Sequence, residues 1–318
     1  MRHIARRKFI GLIGAAAGMA LLGPVCAAAP ATPAQSGPAP QSSPPPPASG
    51  QAYLAVVHGP DAAAITRAAI ASLGGMARFV TSGNDVIIKP NICTEYHPPE
   101  YATTTNPVVI GELVKMCLDA GARRVRVMDS PFGGTAESAY GISGIAEATL
   151  AAGGEMEVMS PIKFVTTAIP QGKDITEWDV YQDILTTDVL INVPIAKHHS
   201  LARLTLSGKN LLGVIKSANR MHRNLGQRIA DLASLVRPTL TVVDAMRILV
   251  ANGPTGGSLD DVRQTDTVIA SHDMVAADAF AATLFGLTGT DIDYVKACAD
   301  MGLGTLDLSS IQIEETSA

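Results

Sequence analysis

"TTDVLINVPIAKHHSLARLTLSGKNLLGVIK" (residues 186–216) is the stretch from which the fold can be read. Its first part, "TTDVLINVP" (186–194), is a short apolar run rich in branched side chains, as a buried strand requires. From Asn192 to Lys216 it then carries Lys197, His198, His199, Arg203, Lys209 and Lys216 and no carboxylate. Positive charge therefore gathers directly after a strand.

Working outward, the same change from apolar run to polar residues recurs. Strands are expected over 52–59, 85–91, 123–130, 155–160, 239–246 and 265–273. Helices are expected over 61–75, 106–122, 141–154, 229–238, 274–286 and 291–302, with Asp61 and Asp273 as caps and Pro107 in a first turn. Strands alternating with helices predict an α/β fold, a mainly parallel sheet with helices on both faces. Several strands end in polar residues: Lys89 and Asn91, Asp129 and Ser130, Asn192, Asp244, His272 and Asp273. In open parallel sheets ligands bind beyond the carboxyl ends of the strands, so these ends are expected to line one crevice.

The whole chain has 318 residues, 47% hydrophobic and 17% charged, with few aromatics and a formal charge of -5. An acidic chain without a basic surplus argues against a nucleic-acid partner and against general affinity for anionic membranes. Arg6 and Arg7, then Phe9 and a Gly/Ala-rich apolar run, read as a twin-arginine signal over residues 1–29. That run is short and interrupted by glycine, so no membrane span is expected once it is removed. Export by that route places the chain in the periplasm or cell envelope. Residues 30–50 carry no charge and include four consecutive prolines, the composition of a disordered linker. The α/β domain is expected over 51–318. Cys93, Cys117 and Cys298 share no close spacing, so no iron–sulfur or zinc motif is present, and buried free thiols are the simplest expectation.

The segments "IIKPNIC", "TTTNPVV", "VRVMDSP", "INVPIAKHHSLARLTLSGKNLLG", "VVDAMRILVANGPTGG" and "ASHDMVAADAF" together resemble domain-of-unknown-function family 362. The resemblance spans roughly residues 52–290. Its most specific part is the spacing of Pro194, Lys197, His199, Lys209, Asn210 and Gly213. Many members are exported and many carry ferredoxin-like cysteine clusters. This chain has no such cluster, so the iron–sulfur role that the resemblance implies does not transfer.

The residues themselves suggest a chemistry. Lys89, Lys197 and Lys209, with Asn91 and Asn210, form a candidate site for a phosphate or carboxylate. "GKNLLG" lacks the glycine and hydroxyl spacing of a nucleotide-hydrolysing loop. His198 and His199 are adjacent and point to opposite sides of a strand, and the family spacing selects His199 as the proton carrier or metal ligand. Asp129 and Asp244 end Val-rich strands and are candidates to hold a divalent cation together or to act as a general base. "ANRMHRNLG" with His222 is a candidate flap, and the glycine-rich "NGPTGG" and "SPFGGT" are candidates to offer backbone N–H groups. Two functions stay open: an enzyme acting on a small anionic molecule, or a non-catalytic protein that binds an anion or cofactor or serves a redox partner.

Overall fold

The computed structural model describes residues 53–318; the signal (1–29) and the linker (30–50) expected before them lie outside the described residues. In chain order the strands are β1 (Leu54–His58), β2 (Asp85–Pro90), β3 (Arg124–Val127), β4 (Glu155–Met156), β5 (Phe164–Ala168) and β6 (Glu177–Tyr181). They continue with β7 (Val189–Val193), β8 (Ile195–His199), β9 (Arg203–Thr205), β10 (Leu240–Leu249), β11 (Val262–Ser271) and β12 (Ile313–Ser317). The helices are α1 (Ala62–Ser72), α2 (Pro107–Asp119), α3 (Ala136–Ile142), α4 (Ile145–Ala151) and α5 (Gln182–Thr186). After them come α6 (Ser207–Asn210), α7 (Leu225–Leu235), α8 (Met274–Thr283) and α9 (Asp293–Asp300).

The main sheet has the order β12-β1-β11-β10-β7-β2-β3-β4. Strands β10, β7, β2, β3 and β4 are all parallel. Strand β11 alone in that order runs against its neighbours β1 and β10. The fold is α/β with a mainly parallel sheet and helices on both faces.

Alternation along the strands decides which layer each side chain joins. Ile87, Leu190, Val243 and Ile269 pack with Ile229, Val275 and Val295 on one face. Ile88, Ile191, Val242 and Val268 pack with Ile65, Ile110 and Leu113 on the other. Because both faces are covered, β7 is buried along its whole length. Asp61 caps α1 by accepting from Ala63 and Ala64 N–H, and Asn106 caps α2 one residue before Pro107.

Three local expectations change. Residues 141–154 are not one helix, because Gly144 takes a left-handed φ of 69° between α3 and α4. Strand β4 pairs over two residues only, with β3 alone beside it. The reversed direction of β11 carries His272 and Asp273 away from the other strand ends: Ser271 pairs with Leu54 and Thr241, at the starts of β1 and β10. Asp273 caps α8 there.

Candidate functional site

The carboxyl ends of β2, β3 and β8 open into one cavity of about 390 Å³. Strand β7 stops at Pro194, which has no N–H for a ladder. The chain then leaves the central ladder as β8, which pairs with the outer part of β10 and with β9. Helix α6 follows, and the Asp278 carboxylate accepts from its Ser207 and Gly208 N–H groups. Burial pushes the Asp278 carboxyl up to about 7. The turn of α6 presents Lys209 and Asn210. Lys89, Asn91, Asp129, His199, Lys209 and Asn210 all line the cavity. So do Cys93 and an apolar wall that includes Ile92, Leu212 and Pro254. Phe132 and Leu201, 66% and 64% exposed, also belong to its lining.

These polar groups differ in how much bonding capacity they have left. Lys89 Nζ lies 2.7 Å from Asp129 Oδ1, 2.8 Å from Pro90 O and 3.2 Å from Asn210 Oδ1, so its three protons all have acceptors. Asp129 also accepts from Ile92 N–H at 2.6 Å and Ser130 N–H at 2.9 Å. Asn210 Oδ1 accepts from Asn91 Nδ2, and Asn210 Nδ2 donates to Asn192 Oδ1 at 2.8 Å. The Lys89–Asp129 pair and the three asparagines thus form a closed network. Gly213 packs over it: a Cβ there would stand 1.9 Å from Asp129 Oδ1 and 2.7 Å from Lys89 Nζ. The network fixes the shape of the cavity floor and has little capacity left for a ligand.

Lys197 is also saturated. It is fully buried, and its Nζ lies 2.6 Å from Thr103 O, 2.9 Å from Pro254 O and 3.4 Å from Cys93 Sγ. Lys209 differs, since among the described residues it has no hydrogen bond or ion pair and it faces the cavity. Burial, helped by the positive Lys197 and Lys89, pulls its amine down to about 8.

His199 Nδ1 accepts from the backbone N–H groups of Leu201 at 3.1 Å and Ala202 at 3.3 Å. A nitrogen that accepts from two obligatory donors cannot hold a proton, so the ring proton sits on Nε2. Burial, then the positive Lys209, Lys197 and other neighbours, push this imidazole down to about 3. His199 is a neutral hydrogen-bond donor toward the cavity, a different tautomer from the one a metal ligand at Nε2 needs. His198 turns the other way and accepts from Gly253 N–H at 3.0 Å.

The remaining expectations divide. Asp244 does not join the cavity; it accepts from Asn106 N–H at 2.7 Å and Met246 N–H at 3.0 Å, and burial pushes it up to about 6. Strands β7 and β2 lie between β10 and β3, and Asp244 spends its carboxylate on backbone N–H groups outside the cavity that Asp129 lines, so the two are not placed to share a cation. Among the described residues no group of three or more His, Cys, Asp or Glu is placed to hold a metal ion. "NGPTGG" presents the carbonyl of Pro254 to Lys197 rather than a row of N–H groups. "SPFGGT" donates Phe132 and Gly133 N–H to Cys93 O. Asn219 and His222, from the segment expected as a flap, line the cavity. Cys117 and Cys298 are buried as expected, but Cys93 is only half-buried and faces the cavity. Its position two residues after Asn91, beyond a strand end, was the available signal.

Residues 86–283 match the model of a family described as "Domain of unknown function (DUF362)". A thylakoid-associated protein, sll1697, from Synechocystis sp. (strain ATCC 27184 / PCC 6803 / Kazusa) is 26% identical over 256 residues, 74% of this chain and 74% of that protein. Among solved structures, lactate racemase apoprotein from Thermoanaerobacterium thermosaccharolyticum aligns with 13% identity and a TM-score of 0.45. That alignment covers 77% of this chain and 56% of the racemase chain. Among the described residues no helix is long and apolar enough to cross a membrane.

Proposed function

The chain belongs to the DUF362 family, and from that premise we propose that it is an enzyme acting on a small anionic molecule, bound at the carboxyl ends of β2, β3 and β8. One observation carries this reading. Of the lysines around the cavity, Lys89 is neutralised by Asp129 and Lys197 is satisfied by two carbonyls, while Lys209 has no partner among the described residues. An ammonium facing a largely apolar cavity is stabilised by a carboxylate or phosphate. His199 Nε2–H is the second donor to such a ligand.

The same pair supports turnover. An amine near 8 exchanges protons at neutral pH, so Lys209 serves as acid or base. The imidazole, held neutral, donates to an oxygen that gains charge in the transition state. Binding without turnover is the second reading. It is favoured by Asp129, whose oxygens are committed to Lys89 and two backbone N–H groups and offer no free base. The paired arginines Arg6 and Arg7 support export to the periplasm or cell envelope. A divalent metal is not part of this reading, because the carboxylates expected to hold it lie apart.

The test is calorimetric titration of the protein with small carboxylates and with inorganic phosphate. At least one should bind, and Lys209→Met should weaken it at least about tenfold, the worth of one charge-assisted contact. Equal affinity in Lys209→Met would refute the site.

A further inference from the structure

We propose that Cys93, on the cavity wall, and Lys197, buried behind it, form a nucleophile–base dyad, with Cys93 Sγ adding to an electrophilic carbonyl carbon of the bound molecule. Lys197 is fully buried and, among the described residues, forms no ion pair with a carboxylate. Its Nζ has three neighbours: Thr103 O at 2.6 Å, Pro254 O at 2.9 Å and Cys93 Sγ at 3.4 Å. Two carbonyls use two N–H bonds in either protonation state of the lysine. The third position belongs to sulfur.

Two arrangements satisfy it without leaving a charge unpaired: amine beside thiol, or ammonium beside thiolate. An ammonium beside a neutral thiol would leave a buried charge without a counter-ion, which costs several kcal/mol. One proton is therefore held between nitrogen and sulfur, the arrangement that activates a cysteine. Burial pulling the Lys197 amine down agrees with this.

The dyad is held in place from both sides. The loop carrying Pro254 is tied to β8 by Gly253 N–H on His198 Nδ1, and Ser200 N–H donates to Gly253 O. Cys93 is anchored through its own carbonyl, which accepts from Phe132 and Gly133 N–H. Asn91 Oδ1, 3.3 Å from Sγ, is the alternative acceptor for the single thiol proton. Independently of the sulfur, Lys209, which has no hydrogen-bond partner among the described residues, and the Nε2–H of His199 face the same cavity.

Together these groups fit a small oxo acid. This choice of substrate rests on the anion site proposed above, whereas the dyad does not. Its carboxylate meets Lys209 and its carbonyl oxygen meets His199 Nε2–H. As the S–C bond forms, the thiol proton passes to Lys197 Nζ and the carbonyl π pair moves onto oxygen. The oxygen then takes a proton back from the Lys197 ammonium. The net step is addition of S–H across C=O, giving a thiohemiacetal or thiohemiketal without oxidant or leaving group.

The test is alkylation of the full chain at pH 7, with the modified cysteine located by peptide mass mapping. Cys93 should react with iodoacetamide roughly tenfold faster than N-acetylcysteine, and Lys197→Met should remove that advantage. A wild-type Cys93 no faster than the free thiol overturns the dyad even if Lys197→Met does not fold. Glyoxylate should protect Cys93 from iodoacetamide in the wild type; absence of protection overturns the carbonyl addition. The anion site is read separately, from the iodoacetate-to-iodoacetamide rate ratio at Cys93. That ratio should fall in Lys209→Met, and a ratio that does not change sinks the anion site while leaving the dyad standing.

Discussion

Replacing Asp129 by Asn tests whether the cavity floor is built on a buried ion pair. Lys89 is 1% exposed, and its Nζ lies 2.7 Å from Asp129 Oδ1. Asn keeps the size but removes the charge, so the ammonium remains in the interior with only Pro90 O and Asn210 Oδ1 as partners. Breaking a buried pair from one side costs about 3–5 kcal/mol, because the surviving charge is uncompensated. The amide also has one acceptor oxygen where the carboxylate had two. It therefore cannot serve both Ile92 N–H and Ser130 N–H, which now approach different oxygens. Equilibrium urea denaturation should show the loss, and the midpoint of thermal unfolding should fall by on the order of 10 °C. The Lys89→Met and Asp129→Asn cycle should give a coupling of roughly 2–3 kcal/mol, since the double variant leaves no unpaired charge. A single-variant loss under about 1 kcal/mol, or a strictly additive cycle, would show that water reaches Lys89 and that the pair does not hold the floor.

Other outcomes follow from the same geometry. Gly213→Ala places a methyl 1.9 Å from Asp129 Oδ1 and should cost about 1–3 kcal/mol by urea denaturation, with the cavity floor displaced. His199→Phe fills the same space but leaves Leu201 and Ala202 N–H without their acceptor, a loss of about 2 kcal/mol in the same assay. Anion affinity, followed by calorimetry, should be flat below pH 7 and fall as pH rises through about 8, because the bound form needs the Lys209 ammonium. The lowered amine also means that the folded chain binds fewer protons than the unfolded one between about 8 and its ordinary value. This group should therefore make unfolding free energy rise with pH across that window, a contribution that Lys209→Met removes.

Much of the architecture was legible because burial leaves a local mark. Strands covered on both faces must be apolar, and the point where apolar residues stop is the point where the strand leaves the core. Lys89, Asp129 and Asn192 could be placed at a sheet edge on that ground, and the adjacent His198 and His199 had to point apart. Hairpin β5–β6 and strand β12 leave no clear mark in the sequence, because polar residues interrupt their apolar alternation. The direction of β11 was also hidden. An antiparallel strand in the middle of a parallel sheet has the same apolar pattern as its neighbours, so His272 and Asp273 were assigned to the wrong end.

The sequence by itself determined the layers, the carboxyl-end location of the polar residues and the local excess of lysine after β7, since each depends on a residue's own type and spacing. Only the tertiary structure decided what those residues do. Asp129 lies 40 positions from Lys89, and Thr103 and Pro254 reach Lys197 from 94 and 57 positions away. Whether a lysine is neutralised, saturated or free depends on partners brought by folding from remote segments, and that is why, among the described residues, Lys209 is the cavity lysine left without a hydrogen-bond partner.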